Sequence, residues 1–580
     1  MNRSPFQQCV IPVLLVICLL IAGCRPTPQE AGKAAGRRGG VISVRLTALP
    51  GTFNPLMVAD ESSLLVGLWL LGGRLVSFDH TTQSYVPALA ESWKTEPDGR
   101  TVTVTLRDGL KFSDGQALTA ADVLFTLQAL YDERTGSPLL RDAMLIGGKQ
   151  IVAAATDARQ LKLTFPERTA APESFLVNLP VLPRHALGQA FSEGRLGSAW
   201  PLTAEPRQIV TSGPFTVESV QPGASIRLSR NPHYWRTDSK GVQLPYADAL
   251  VLEGISDPNN TFLRLNQGTL DLADRIRPSD FAALQPASGP VHAADAGPGL
   301  STDHLWFNLS GQAAISPMKR AWFGEARFRR AISHAIDRQA IAKATLRGLA
   351  TPLEGFVSPG NRAWATADLP RTDYSPERAQ ALLQEAGFVR RGSADAPELY
   401  DRAGNRVEFT LLVQAQNEPR KQMATVIQQD LARLGISLQV ATLDTQAVTE
   451  RWTKTFDYDA VLMGLTLTDP EPSSYTSFLR SDSATHQWSP RQKSPATDWE
   501  ARIDKLIELQ AAETDPQKRQ ALFREIQVIM AEQLPVIPLV ARHIVSAAHS
   551  RIGNWRPSSI FPYSLWNADE LFISEPGAGK

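Results

Sequence analysis

The sequence predicts a mixed α/β protein built from two to four domains. Its 580 residues are too many for one compact hydrophobic core. The chain contains 39 glycines and 41 prolines, and this density of turn residues favours short strands and helices over a helical bundle. Hydrophobic residues make up 43% and charged residues 20% of the chain, which is typical of a globular protein and excludes a mostly disordered one.

The charge balance and the cysteines exclude several classes of function. Lys and Arg number 59, as do Asp and Glu, and no basic block is present, so we expect no nucleic-acid partner. The three cysteines are Cys9, Cys18 and Cys24. Because the rest of the chain has none, it cannot hold a thiolate zinc site, an iron–sulfur cluster, a cysteine nucleophile or an internal disulfide. We expect no cofactor and no metal.

The N-terminal segment predicts an export signal with a lipid-attachment site. Arg3 precedes the apolar run 10–23, which is shorter than the roughly 20 residues of a spanning helix. The run ends in the sequence LIAGC at 20–24, which resembles the bacterial lipobox. We therefore expect residues 1–23 to be a cleaved signal peptide, Cys24 to carry the lipid and residues 24–40 to be a flexible tether. The alternative is an uncleaved anchor helix.

Strands are predicted where apolar residues alternate with polar ones between turn residues. Residues 41–46 (VISVRL) predict the first strand of a sheet. Residues 93–106 predict a hairpin around the turn Pro97-Asp98-Gly99, because Val102, Val104 and Leu106 alternate with polar residues. Two more strands are predicted at 409–413 and 436–440.

Helices are predicted where a capping residue precedes apolar residues at helical spacing. The strongest stripe is Phe328, Ala331, Ile332, Ala335 and Ile336, at positions i, i+3, i+4, i+7 and i+8. Other predicted helices follow Thr119 with Asp122, Ser375 with Pro376, Thr497 with Glu500, and Asp515 with Pro516, and one more covers 425–434. The order of strands and helices is that of an α/β protein.

Motifs of catalysis are missing from the sequence. It contains no His-Glu-x-x-His, no Gly-x-Ser-x-Gly and no Gly-x-Gly-x-x-Gly. Ser316 and Lys319 match the Ser-x-x-Lys of penicillin-binding enzymes, but the companion Lys-Thr-Gly is absent. We expect no enzymatic activity. An envelope lipoprotein hydrolase using Ser316 is the alternative from another class, and a turnover screen with Ser316→Ala would distinguish it.

A series of stretches runs through the chain in a distinctive order. The longest is PALAESWKTEPDGRTVTVTLRDGLKFSDGQALTAADVLFTL at 87–127. It is followed by TSGPF at 211–215, LSRNPHYW at 228–235, FRRAISHAIDRQAI at 328–341, YSPERAQALLQEAGF at 374–388 and QLPVIPL at 533–539. Together they resemble the bacterial extracellular solute-binding proteins of family 5, and the resemblance extends from residue 41 essentially to the C-terminus.

This resemblance implies a two-lobed α/β clamp of the periplasmic-binding-protein kind, type II-like with an extra domain in the first lobe. Domain I is expected at 41–80, 206–300 and 546–580, domain II at 81–205, and domain III, the second lobe, at 301–545. The hinge crossings are expected near 298–303 and 540–546. The ligand would lie in the cleft between the lobes.

The family also implies a function and partners. We expect a lipid-anchored, monomeric receptor outside the cytoplasmic membrane, in the periplasm or at the cell surface. It would capture a peptide or peptide-like solute and deliver it to the permease and ATPase subunits of an ABC importer. Because one scaffold serves many solutes, a nickel chelate, haem or a sugar is the alternative ligand.

Ligand-binding residues are implied in two segments. Peptide-binding relatives carry Gly-Trp-x-x-Asp followed by Pro, and the Asp pairs with the α-ammonium of the peptide. The corresponding segment here is GLTLTDPEP at 464–472, with Leu465 in place of the Trp, Thr468 in place of the Asp, and Asp469 one position later. The expected contact residues are Gly464, Leu465, Thr466, Thr468 and Asp469 on one lobe, and Met57, Val58, Ala59 and Asp60 on the other. A turn at Asp469-Pro470 is the alternative.

Overall fold

The computed structural model describes residues 37–137, 139–284 and 289–574. Cys24 and the predicted signal peptide lie outside these residues. The strands are β1 (Val41–Leu46), β2 (Val76–Asp79), β3 (Ser84–Pro87), β4 (Ala90–Thr95), β5 (Thr101–Leu106), β6 (Val152–Ala155), β7 (Gln160–Thr164), β8 (Phe215–Gln221), β9 (Ser225–Arg230), β10 (Ala249–Gly254), β11 (Leu272–Asp274), β12 (Val291–Phe307), β13 (Ala350–Pro352), β14 (Val389–Gly392), β15 (Pro397–Tyr400), β16 (Glu408–Gln414), β17 (Ser437–Leu443), β18 (Ala460–Leu465), β19 (Val536–His549), β20 (Ile552–Gly553) and β21 (Phe572–Ile573).

The α-helices lie between these strands. They are α1 (Glu61–Leu64), α2 (Ala120–Tyr131), α3 (Leu140–Ala143), α4 (Glu173–Leu176), α5 (Arg184–Ser192), α6 (Pro258–Asn266), α7 (Pro278–Ala283), α8 (Pro317–Gly324), α9 (Ala326–Ala335), α10 (Arg338–Leu346), α11 (Pro376–Glu385), α12 (Glu418–Ala432), α13 (Thr445–Glu450), α14 (Thr476–Leu479), α15 (Asp498–Ala512) and α16 (Pro516–Gln533). A π-helical segment, Leu65–Leu70, continues α1.

One mixed sheet runs through the whole folded body. Its order is β17-β16-β18-β12-β19-β11-β1-β10-β9-β8, and β13 pairs with β19 at its side. The half built on β1 and β8–β11, together with the separate sheet β4-β5-β7-β6, the β2–β3 hairpin and the C-terminal residues 550–574, is called the first lobe below. The half built on β16–β18 is called the second lobe. The long strands β12 and β19 belong to both halves and pair with each other along most of their length.

The second lobe has a sheet covered by helices on both faces. Successive residues of β12 alternate between these faces, as the twofold period of a strand requires. Leu305 and Phe307 pack in one core with α9, α11 and α12, whereas Trp306 packs in the other with α15 and α16. This arrangement explains why β16 and β18 are nearly continuous apolar runs, since both faces of each strand are buried.

The first lobe combines two sheets over one core. Ile42 and Val44 of β1 belong to the same buried cluster as Val102 and Val104 of β5. In β1 every second residue is buried, which is the alternation seen in the sequence. Just before β1, the amide of Gly39 donates to the carbonyl of Tyr246 at 2.9 Å, so the bonded part of the chain begins within the predicted tether.

The ladder between β12 and β19 is interrupted midway. The pairing is regular from Val291 to Asp295, shifts between Asp295 and Pro298, again between Pro298 and Thr302 and once more between Asp303 and His304, and ends at Trp306. Pro298 has no N–H to donate to a ladder. The longest interruption of the ladder therefore lies between Asp295 and Thr302.

Local predictions of helix starts are confirmed. The amide of Arg378 donates to Ser375 Oγ at 3.1 Å, and the amide of Glu500 donates to Thr497 Oγ1 at 3.3 Å, as expected of N-caps. The predicted helix at 425–434 is too short, since α12 begins at Glu418 with Asn417 as its cap. Its first turns are polar, so the apolar spacing begins only at Met423.

Candidate functional site

The two lobes meet through a small apolar cluster. Phe78, Val177 and Ile560 of the first lobe pack with Leu300 of the crossing strand β12, and these four side chains are buried. Leu467, in the loop after β18 of the second lobe, and Tyr85 of β3 pack against them. The lobes are therefore in contact at this cluster.

Hydrogen bonds also join the lobes. At the tip of the β2–β3 hairpin, Gln83 donates from Nε2 to the carbonyl of Gly360 at 2.9 Å and accepts from the amide of Arg362 at 3.0 Å. The guanidinium of Arg362 donates to the carbonyl of Thr81 at 2.7 Å. These bonds would have to break for the lobes to separate.

A cavity of about 370 Å³ lies beside this hairpin. Its walls come from both lobes and from the crossing strand, and include His80, Gln83, Pro298, Gly360, Arg362, Arg556, Ser558 and Trp566. Its volume lies at the lower end of the range of small-molecule sites, roughly 300 to 1,000 Å³. A space of this size between the lobes can enclose a small solute.

Asp469 of the second lobe faces the first lobe. Its Oδ1 accepts from the amide of Glu471 at 2.8 Å and lies 3.5 Å from the hydroxyl of Tyr85. Burial, with a further contribution from the neighbouring Glu471, raises the pKa of Asp469 to about 6. Among the described residues, no Lys, Arg or His lies within 4.0 Å of this carboxylate to form an ion pair. A cationic group entering between the lobes would find an acceptor here.

The neighbouring carboxylates already have partners. Glu471 forms a buried ion pair with Arg519 at 2.6 Å, and Glu61 in the first lobe pairs with Arg275 at 2.6 Å. Asp60 caps α1, accepting from the amide of Ser63 at 2.8 Å. Asp60 and Asp469 both accept hydrogen bonds and have no cationic partner among the described residues, and of the two Asp469 is the one that contacts the opposite lobe.

Strand β18 has an open side next to Asp469. Its ladder with β16 ends at Leu462, whereas its ladder with β12 continues to Leu465. At the last three residues of β18, Met463–Leu465, β12 is therefore the one described strand that pairs with β18. The opposite edge of β18 has no partner among the described strands. Gly464 and Leu465 are half-buried, and Thr466 and Thr468 in the loop are exposed. An extended chain could pair with such an edge.

A charged cluster fills the space at Gly464. Asp303 of β12 accepts from Arg420 Nε at 2.8 Å and from Arg542 Nε at 2.7 Å. Burial alone would raise the pKa of Asp303, but Arg542 and Arg420 together hold it below its usual range. A Cβ on residue 464 would come within 2.2 Å of Arg420 Nη2, so the glycine makes room for the guanidinium. Two guanidiniums on one carboxylate leave one positive charge, which can attract an anionic group.

The other predicted segment lies in the first lobe, away from these contacts. Val58 is buried, Met57 is half-buried, and Ala59 and Asp60 are exposed. In the described part of the chain, no hydrogen bond or ion pair joins this segment to residues 464–469. Sequence reasoning missed Tyr85, Arg420, Asp303 and Arg542, because nothing in the local pattern indicates contacts across such sequence distances.

The Ser-x-x-Lys match is explained by a helix start. Ser316 is the N-cap of α8, and its Oγ accepts from the amide of Lys319 at 3.3 Å. Lys319 Nζ points instead to Asp459, at 2.7 Å. Across the described ranges, no cluster of three or more His, Cys, Asp or Glu could hold a metal ion. None of the helices described is both long and apolar enough to cross a bilayer.

Comparison with known proteins gives relatives over nearly the whole chain. A probable ABC transporter-binding protein from Deinococcus radiodurans is 29% identical over 544 residues, covering 90% of each chain. A dipeptide-binding protein from Escherichia coli is 26% identical over 503 residues, covering 84% of this chain and 86% of its own. The crystal structure of NikA from Brucella suis in complex with Fe(III)-EDTA shares the fold, with a TM-score of 0.76, 21% identity, and coverage of 92% of this chain and 100% of its own.

The family model agrees with these relatives. The model for the bacterial extracellular solute-binding proteins, family 5, matches residues 84–487, which is more than half of the chain. The structural relatives have the two-lobed fold described above, and proteins of this family are extracytoplasmic transport receptors, not enzymes. The chain therefore belongs to family 5 of the bacterial extracellular solute-binding proteins, the receptors of ABC importers.

Proposed function

We propose that this protein is a lipid-anchored receptor that captures a peptide or peptide-like solute between its lobes and delivers it to the permease of an ABC importer. Cys24 would carry the lipid after removal of residues 1–23. The receptor would act as a monomer. Capture and release would be its whole mechanism, with ATP hydrolysed by partner subunits.

The peptide proposal is supported by a carboxylate without a cationic partner that lies close to an unpaired strand edge. Asp469 has no cationic partner among the described residues, and the unpaired side of β18 at Gly464 and Leu465 precedes it by a few residues. A peptide lying along that edge would gain backbone hydrogen bonds and place its ammonium against the carboxylate. The positive charge of the Arg420–Asp303–Arg542 cluster would attract its carboxylate end.

A non-peptide solute is the second candidate. The Brucella suis NikA structure holds an Fe(III)-EDTA complex, so the same fold encloses ligands that are not peptides. The name of the Escherichia coli relative favours a dipeptide. The cavity of about 370 Å³ favours a small solute over a long peptide.

Mass spectrometry of the purified protein tests the class of solute. We expect small molecules released by denaturation to include peptides or peptide-like compounds, because a closed cleft retains its ligand during purification. The control is the same preparation after exhaustive unfolding, dialysis and refolding. Recovery of a metal chelate, haem or a sugar alone would contradict the peptide proposal and leave the family assignment intact.

We also propose the domain division 41–80, 206–300 and 546–580 for domain I, 81–205 for domain II, and 301–545 for domain III. The four-stranded sheet β4-β5-β7-β6 falls within the second of these, and the interrupted ladder of β12 and β19 at Pro298 supports a hinge between the lobes. Two strands joining two lobes allow opening by rotation about that hinge.

Small-angle scattering tests this motion. The ligand-free protein should have a larger radius of gyration than the protein with saturating ligand, because ligand contacts with both lobes favour the closed state. Gln83→Ala removes both hydrogen bonds that its side chain makes across the lobes, and should shift the ligand-free protein further towards the open state. An unchanged radius with demonstrably bound ligand would contradict closure.

A further inference from the structure

A second pocket lies inside the first lobe. Its volume is about 160 Å³, and its walls include Trp69, Arg74, Ser77, Ser212, Tyr234 and Trp566. Trp566 also lines the cavity between the lobes, so the two spaces are neighbours. This volume is well above the roughly 10–15 Å³ that one water molecule needs, so the pocket has room for a small ion or a molecule of a few heavy atoms.

Arg74 is the unusual residue of this pocket. Its Nη1 is buried and has no hydrogen-bond partner, and none of the described carboxylates lies within ion-pair distance of its guanidinium. Cζ lies 3.7 Å from the ring centroid of Trp69, so the cation rests on an aromatic face. An arginine has five N–H donors, and leaving such a charge buried without a counter-charge is costly.

Arg236, the other arginine that lines the pocket, has carboxylate partners. Asp569 accepts from Arg236 at 2.7 Å and from the hydroxyl of Tyr234 at 3.2 Å. Glu570 is shared by Arg236 and Arg556. Among the charged residues that line the pocket, Arg74 and Arg236 thus stand against Asp79 and Asp569, and Arg74 is the guanidinium without a carboxylate at ion-pair distance.

Two further groups define what the pocket can bind. Asp79 lines the pocket, and its Oδ1 accepts from the amides of Thr81 and Thr82 at 2.8 and 2.9 Å. Ser212 is 3% exposed, and its Oγ accepts from the amide of Gly73 at 3.1 Å. The hydroxyl proton of Ser212 therefore remains available to an acceptor, and the pocket offers donors from two sides.

We propose that this pocket binds a small monovalent oxyanion, with its oxygens accepting from the Arg74 guanidinium and from the Ser212 hydroxyl. A planar carboxylate or nitrate matches the fork of the guanidinium, and a single negative charge gives Arg74 a direct counter-charge. The pocket does not include the proposed ligand groups at Asp469 and β18, so it is a second site, and it adjoins the cavity between the lobes at Trp566. Burial lowers the pKa of Arg74 to about 10, and the residue therefore stays cationic at neutral pH.

Thermal unfolding in matched sodium salts tests the proposal. Acetate and nitrate should raise the unfolding midpoint of the wild type in a saturable way, because an anion that binds the folded state stabilises it. Gluconate at the same ionic strength should not, because it is too large for the pocket. A stronger effect of acetate would indicate a carboxylate ligand, and a stronger effect of nitrate an inorganic one. In Arg74→Gln, at least tenfold more acetate or nitrate should be needed to raise the unfolding midpoint by the same amount.

The matched control is Arg391→Gln. Arg391 also lies on an aromatic ring, 4.6 Å from the centroid of Tyr400, but in the second lobe, and its loss should leave the anion effect unchanged. An equal effect of all salts on the wild type, or an unchanged acetate and nitrate effect in Arg74→Gln, would overturn the proposal. If Arg74→Gln fails to fold, wild-type crystals soaked in bromide test whether an anion binds at Arg74. Anomalous scattering should place the ion against Arg74, and its absence there would overturn the site.

Discussion

Replacing Asp469 by asparagine should weaken the binding of a peptide with a free amino terminus by about 30-fold to a few thousand-fold. This corresponds to roughly 2–5 kcal/mol, the cost of leaving a desolvated ammonium without its counter-charge. The amide keeps the shape of the side chain and can still contact Tyr85, so the change removes charge more than packing. Titration calorimetry with the free and the N-acetylated peptide measures the effect.

The acetylated peptide and a second variant are the controls. Asp469→Asn should leave the affinity for the N-acetylated peptide nearly unchanged. Asp457→Asn removes an exposed carboxylate from the same lobe and should affect neither ligand. If the wild type binds both peptides with equal affinity, the site does not recognise the ammonium group. If a strong preference for the free amine persists in Asp469→Asn, another carboxylate is the anchor, and Asp60, Glu61 and Glu471 are the next to test.

The same carboxyl should make closure of the ligand-free protein depend on pH. Burial raises the pKa of Asp469 to about 6 where the lobes touch. The pKa should fall towards its ordinary value of 3.8 when the lobes separate, because separation exposes the carboxyl to water. The closed state therefore holds a proton that the open state releases, and it gains stability relative to the open state as the pH falls through 6. Scattering without ligand should show a smaller radius of gyration at about pH 5 than at about pH 7.5, and Asp469→Asn should abolish the difference.

Replacing Cys24 by serine should release the protein from the membrane. Each buried CH₂ of an attached acyl chain contributes about 0.8 kcal/mol to membrane binding, and two or more chains make attachment effectively permanent. Serine cannot be lipidated through a thioether. Fractionation of cells that express the variant should find it in the soluble extract, whereas the wild type sediments with membranes.

Cys18→Ser is the matched control for this change. Cys18 lies within the apolar run that the signal peptidase would remove, so its substitution should leave the protein in the membrane fraction. A Cys24→Ser protein that fractionates with membranes as the wild type does would contradict the lipobox prediction. Such a result would favour the uncleaved anchor helix.

Local chemistry was sufficient to predict much of the secondary structure. The capping pairs Ser375-Pro376 and Thr497 with Glu500 mark helix starts at the expected positions, because a cap depends on residues within one turn. The hairpin around Pro97-Asp98-Gly99 is confirmed for the same reason. The start of α12 was not predicted, because its first turns carry no apolar stripe.

The pairing of the long strands β12 and β19 could not be predicted from local sequence patterns. Their pairing joins residues more than 200 positions apart, as between Thr302 and Ala541, and no local pattern encodes a partner at that distance. Each strand also contains a proline, Pro298 or Pro538, which in sequence argues against a long central strand. Both prolines fit into the folded sheet, because the β12–β19 ladder is shifted at Pro298 and again beside Pro538.

The sequence by itself determined the family, the alternation of strands and helices, and the absence of recognisable catalytic motifs. These follow from composition, capping and motifs, which are read within short windows. Only the tertiary structure decided which charged groups lack partners. Asp469 meets Tyr85 across 384 residues, Arg420 and Arg542 share Asp303, and Arg74 lies unpaired on Trp69. Burial and charge pairing depend on the whole fold, because each charged side chain finds or lacks its partner only when distant segments meet.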